Sequence, residues 1–310
     1  MNVNTTLSKT NQAIKPKGEI IVTDDGKKYQ KAGLANAAGA VFVANMAGGA
    51  TNMAVRKLSH IPLDNLDKLT QNLDKDTFKQ AADKAFANSG LAEKGVKLLD
   101  ATNDNKNVVK ESLQNALPNW VNKYPKLKNF FNKKFDKISN TIISGRNACY
   151  IPRANTILIN KDKMSWAAFH EMGHAMNKHM GGIGKVLHKL RAPMVLLTSV
   201  ALFTALFKRK KAEGEKPEGF FDKTTTFIKE NAGKLAFAGM VPTILEEGLA
   251  SIKGAKLAKN LLSPENLKKL NNLNARALLT YIGGATAAGL SAFVISKVRD
   301  AIAAPKEIKE

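Results

Sequence analysis

Residues 164–176 read MSWAAFHEMGHAM, and inside that stretch His170, Glu171 and His174 form the run HEMGH. On a helix, positions four apart share a face, so both imidazoles can reach one cation from the same side. The carboxylate that follows the first histidine then stands beside that cation, where it can take a proton from water. Chance explains the run poorly, since shuffling this composition reproduces an HExxH pattern in roughly 0.3% of cases. A helix is expected because Ser165 can cap the first turn and Trp166, Ala167, Ala168 and Phe169 follow without a break. Gly173 weakens such a helix by about 1 kcal/mol, so its presence predicts the close approach of another backbone. Gly181 and Gly182 mark its end.

Two histidines supply half of a tetrahedral site, and the search for a third ligand is constrained by spacing. The metzincin pattern needs glycine at position 177 and histidine at position 180, where this chain has Asn177 and Met180. On a continuing helix His179 points away from the pair. A glutamate from a separate helix is the better search. Glu213, Glu215 and Glu218 lie in a charged, glycine- and proline-containing loop, and Glu230 and Glu265 also have polar surroundings. Glu246 and Glu247 instead interrupt LAFAGMVPTILEEGLASIKG (235–254), where an uncompensated carboxylate is expensive. Helical geometry prefers Glu247, which shares a face with Ala250, Ser251 and Gly254, a strip small enough to approach Gly173. Glu246 shares a face with Ala250 and Lys253 and reads better as an interfacial or supporting acid, although it stays open as the ligand. The ion that suits two imidazoles and a carboxylate in this arrangement is Zn²⁺.

The order CYIPRANTILIN (149–160), SWAAFHEMGHAM, an apolar segment, EEGLAS (246–251) and LLTYIGGATAAGL (278–290) resembles the membrane-embedded gluzincin metallopeptidases. Among these it resembles especially the YugP-like neutral zinc metallopeptidases and, more distantly, the HtpX-like type. The resemblance covers roughly residues 146 to 300 and does not extend to 1–145. It implies a mainly α, helical zincin-like peptidase domain, with zinc on His170, His174 and Glu247 and Glu171 as general base. It places Ala250 and Ser251 on a small-residue pair, with Ser251 standing where the HtpX-like type usually has aspartate. It also offers Tyr281, preceded by Thr280, as an oxyanion helper, against the plainer reading of a membrane-interface tyrosine. The implied activity is zinc-dependent endopeptidase hydrolysis at or in a membrane of bacterial type, the cytoplasmic face being favoured.

Other segments fit around this. ANTILIN (154–160) favours a short strand before the HExxH helix, and Pro152 suits an edge position that could hold an extended peptide. Residues 192–207 and 277–296 carry no charge beyond their basic flanks and are expected to be transmembrane helices, the second with Gly284 and Ala288 spaced for close contact. Residues 235–245, interrupted by Pro242, read as a returning helix that carries Glu247 back to the HExxH helix. Residues 32–55 are also uncharged, although several asparagines weaken a span there.

A net charge of +22 over 310 residues calls for an anionic partner. With 6% aromatics and no nucleic-acid motif, an anionic lipid surface is favoured over nucleic acid, beside a peptide or membrane-protein substrate. The single cysteine, Cys149, precludes an internal disulfide. The expected organisation is a basic tail plus apolar segment over 1–57, a basic helical region over 58–145 and a membrane-associated peptidase domain over 146–310. In the middle region LDNLDKLTQNL and FKQAADKAFANS have helical patterns, and Phe130, Phe131 and Phe135 form a core face or an amphipathic surface helix. Two other classes remain: a non-catalytic basic helical membrane or scaffold protein, and a nucleic-acid-binding helical protein carrying a chance HExxH.

Overall fold

The computed structural model describes residues 18–61, 70 and 73–309. In chain order the elements are β1 (Ile20–Val22), β2 (Lys28–Gln30), α1 (Leu34–His60), α2 (Lys75–Asn88), β3 (Lys97–Asp100), α3 (Lys106–Gln114), α4 (Pro125–Ile143), β4 (Cys149–Ile151) and β5 (Thr156–Ile159). These are followed by α5 (Lys161–Met164), α6 (Ala167–His179), α7 (Gly182–Phe207), α8 (Gly219–Glu230), α9 (Ala232–Ala238), α10 (Val241–Ala258), α11 (Pro264–Ala303) and β6 (Lys306–Glu307). The chain is mainly helical, as expected. Among the described residues, Cα packing groups 18–53, 198–236 and 287–309 into one unit and those of 54–197 with 237–286 into another. The basic tail over 1–17 and most of LDNLDKLTQNL lie outside the described residues.

The unit containing HEMGH is built on a three-stranded sheet in the order β3-β5-β4. β3 runs parallel to β5, with Leu98 opposite Ile157, and β4 runs antiparallel, with Tyr150 opposite Ile157. Successive side chains of a strand point to opposite faces. Ile157 and Ile159 accordingly enter a core with Phe78, Leu91, Phe169, Met172 and Leu270, while Leu158 enters a second one with Val109, Ile142 and Phe135. All four residues of β5 are buried. The expected edge strand before the HExxH helix is therefore corrected: β5 is central, and the edge strand on that side is β4. The reason lies in β3, whose Lys97–Asp100 pairs along the flank that was expected to be open.

Local signals explain the helices. Asp74 caps α2 by accepting from the Thr77 backbone N–H at 3.1 Å, and Pro125 occupies the first turn of α4. On α4, Phe135 is buried and Phe131 packs beside it, whereas Phe130 is exposed, which is the core-face alternative of the two weighed for this helix. Phe78 of α2 meets Phe169 of α6 edge-on at 6.5 Å between ring centres.

Among the described residues, three helical stretches are long and apolar enough to cross a membrane: Gly182–Phe207, Ala232–Ala258 (α9 with α10) and Pro264–Ala303. The first and third contain the two stretches expected to span. In the second, Pro242 sits in the first turn of α10, where a missing N–H costs nothing, so the stretch expected to be a short returning helix belongs to a 27-residue run. Residues 32–55 form most of α1, which is not among these three. Nothing lies within 4 Å of a Cβ built on Gly284; Gly283 is the crowded position, against Ser59.

In the other unit, β1, β2 and β6 form a small antiparallel sheet with Ile21 opposite Tyr29 and Gln30 opposite Lys306. Its helices pack through Ala44, Ala201, Ala205, Ala232, Ala236 and Ala292, the small-residue contacts that let apolar helices approach closely. Large side chains turn outward instead: Phe42, Phe203 and Phe293 are all more than half exposed.

Candidate metal centre

Two glycines decide how α6 meets α10. A Cβ on Gly173 would fall on the Ala250 carbonyl, and a Cβ on Gly254 would strike the backbone of Phe169 and His170. The helices therefore touch backbone to backbone, which the sequence position of Gly173 and the small strip beyond Glu247 foreshadow. This contact carries Glu247 onto the histidine face. His170 Nε2 and His174 Nε2 are 3.0 Å apart, and Glu247 Oε2 lies 3.1 Å from the first and 3.2 Å from the second.

The other ring nitrogens fix which tautomers these histidines adopt. Ser251 Oγ donates to the Glu247 carbonyl at 3.1 Å, so its lone pair accepts from His170 Nδ1–H at 3.0 Å. His174 Nδ1–H donates to Glu246 Oε1, also at 3.0 Å. With both rings neutral, each Nε2 is left with a lone pair that faces a carboxylate oxygen, a position that only a proton or a metal ion can fill favourably. Three such atoms on a triangle of this size repel unless a cation lies among them. Four ligands at about 2.0–2.1 Å around a tetrahedral ion stand about 3.3 Å from one another. The observed spacing is close to that, and His170, His174 and Glu247 could hold a metal ion. Burial opposes charge on His174, yet its hydrogen bonds to Glu246 and Glu247, with the nearby Glu171 carboxylate, raise its pKa to about 10. Positive charge is what this cluster favours.

Glu246 is completely buried and does supporting work. Besides His174 it accepts from Asn177 Nδ2 at 2.9 Å and from Arg191 Nη1 at 2.6 Å. Arg191 Nη2 also pairs with Glu247 Oε1 at 2.9 Å, which leaves Oε2 turned to the histidines. Glu171 is buried, and one oxygen accepts the Tyr150 backbone N–H of β4 at 2.6 Å. Its charge is felt at both His174 and Tyr281. The Tyr281 hydroxyl, carried on α11, interacts with Glu247. His179 is turned away as expected, bonding Tyr150 Oη at 3.1 Å and Asn155 Oδ1 at 3.2 Å. His188 Nδ1 lies 3.6 Å from Glu246 and takes no place among the three ligand atoms.

All six site residues named from the sequence thus meet in one place. Arg191 and Asn177 are the members that sequence reasoning missed. Asn177 was read only as a mismatch to a histidine-rich motif, and Arg191 as one more basic flank of an apolar segment. Lys234 and Lys253 stand nearer to Glu246 and Glu247 along the chain, so sequence distance gives no signal for Arg191, which lies 55 residues before Glu246. No known protein family, curated protein or solved structure matches the chain.

Proposed function

We propose that the protein is a zinc-dependent endopeptidase of gluzincin type acting at a membrane. The observation that carries this reading is the convergence of three lone-pair donors, two of them held in the correct tautomer by Ser251 and Glu246, with the Glu171 carboxylate beside them. Two imidazoles and one carboxylate at tetrahedral spacing favour Zn²⁺ over the oxygen-seeking Mg²⁺ and Ca²⁺. Zinc on His170, His174 and Glu247 would supply Lewis acidity, acidifying a water and polarising a scissile carbonyl.

The remaining work falls to side chains. Glu171 takes the water proton and returns it to the leaving amine, a role for which its bond to Tyr150 N–H fixes its carboxylate in place. Tyr281, whose hydroxyl interacts with Glu247, would donate to the oxyanion, and Arg191 keeps Glu247 from turning both oxygens inward. The outer edge of β4, where Glu171 takes the Tyr150 N–H, is the one along which an extended peptide would dock beside the base. Three long apolar helices and outward-facing phenylalanines support placement in a membrane, where such surface needs no further cover. The likeness to membrane-embedded gluzincins favours the cytoplasmic face of a bacterial-type cell membrane.

The test is hydrolysis of an unstructured reporter peptide by detergent-purified wild type beside Glu171→Gln. The reading predicts activity that a chelator removes and zinc restores in wild type, and none in the variant. Equal rates in the two would falsify it.

A further inference from the structure

Away from the metal centre, a cavity of about 360 Å³ lies among the end of α7, the α8–α9 junction and the last turns of α11. Its lining is dominated by cations. Arg209 and Lys211 are satisfied by Glu215, and Lys229 pairs with Asp300 at 2.7 Å. Lys210, Lys234 and Lys297 are exposed and form no ion pair among the described residues, while the one acid of the lining still uncommitted is Glu230. Three free cations against one acid leave an excess of two positive charges. Lys297 instead stands over the Phe293 ring at 5.6 Å. Thr226 Oγ1, also in the lining, is buried without a partner. Lys229 is held below the usual lysine range by burial, and Arg299 and Lys210 add like charge against the help of Asp300. The cavity therefore favours an anion with several acceptor oxygens.

Its neighbours say where that anion would come from. The lining residues follow the last apolar residue of Gly182–Phe207, open Ala232–Ala258 and lie near the end of Pro264–Ala303. Phe293 presents an exposed ring on the cavity wall, and Phe220, Phe221 and Phe227 of α8 also face outward. A ligand with a charged end and an apolar end matches this, and free phosphate has only the first.

We propose that this cavity binds the phosphoryl headgroup of an anionic phospholipid through Lys210, Lys234 and Lys297, with an acyl chain against Phe293. The inference rests on the reading that the apolar helices lie in a bilayer. It is tested on the full chain in detergent, by native mass spectrometry with short-chain phosphatidylglycerol, phosphatidylcholine and inorganic phosphate as probes. Wild type and Glu171→Gln should bind phosphatidylglycerol alike, and neither of the other probes comparably. K210Q/K234Q/K297Q should weaken that binding about a hundredfold, while K210R/K234R/K297R stays within a few-fold of wild type. Should the triple glutamine variant not fold, K234Q alone should cost about fivefold. Unchanged binding in the glutamine variants, or equal binding of phosphatidylcholine, would overturn the proposal. Competition by inorganic phosphate at equal affinity would assign the site to a free anion and overturn the lipid. Hydrolysis is not read in this experiment, so its failure leaves the peptidase reading standing. A failure of the membrane reading would show separately, as extraction of the protein from cells without detergent.

Discussion

Replacing Glu246 by glutamine tests the idea that a completely buried carboxylate, not itself a ligand, builds the metal site. The side chain accepts three hydrogen bonds, from His174 Nδ1, Asn177 Nδ2 and Arg191 Nη1. Glutamine keeps one carbonyl oxygen, which can still accept from His174 or Asn177. Its amide, however, turns donors toward the Arg191 guanidinium, which then keeps only Glu247 as a partner. Hydrogen bonds to a charged acceptor contribute about 1.5–3 kcal/mol each, and removing one member of a buried ion pair costs about 3–5 kcal/mol. A stability loss of about 3 kcal/mol is therefore expected. Loss of the partner that orients a metal-binding histidine lowers metal affinity about 10- to 100-fold. Zinc affinity is read by competition against a chromophoric chelator, and stability by thermal unfolding in the same detergent. Glu246→Gln should move both, whereas Glu247→Gln should abolish zinc binding outright. If Glu246→Gln held zinc as tightly as wild type while remaining folded, the supporting role assigned to Glu246 would be refuted.

Other substitutions probe the remaining links. Gly173→Ala should drive α6 from the Ala250 carbonyl and release the metal, while Gly284→Ala, with open space around it, should leave metal content unchanged; elemental analysis of the purified variants decides. Tyr281→Phe should keep zinc and lower kcat about 10²- to 10³-fold if its hydroxyl serves the oxyanion, and an unchanged kcat would return it to a plain structural role. Burial, with the Glu171 charge beside it, pushes the Cys149 thiol up to about 12. Alkylation of Cys149 at pH 8 should therefore be slow in the folded protein and fast after unfolding, as mass spectrometry would record.

Much of the metal centre was legible because it depends on short-range rules. A four-residue spacing fixes His170 and His174 on one face, and the cost of acids in an apolar run singles out Glu246 and Glu247. A glycine inside a helix announces the contact that joins these two features. What was not legible depends on distant pairing. The segment 154–160 reads as a strand, but whether it is central or at an edge is decided by Lys97–Asp100, some sixty residues earlier, whose Leu98 faces Ile157. Nothing in Pro152 or in ANTILIN carries that information. Arg191 was hidden for the same reason: one arginine among the basic flanks of an apolar segment has no mark that distinguishes the one turned to Glu246 and Glu247. The apolar run before Glu247 read as a short returning helix because charges at Lys234 and Glu246 bound it and Pro242 interrupts it. At the first turn of α10 that proline is no break.

The most direct test of the central claim is the metal content of the purified protein, measured by inductively coupled plasma mass spectrometry on wild type, Glu171→Gln and Glu247→Gln. The account predicts about one zinc per chain in wild type and in Glu171→Gln, since Glu171 is the base and not a ligand, and almost none in Glu247→Gln. A wild type that stays free of zinc after incubation with it, or a Glu247→Gln variant that binds it as fully as wild type, would contradict the account.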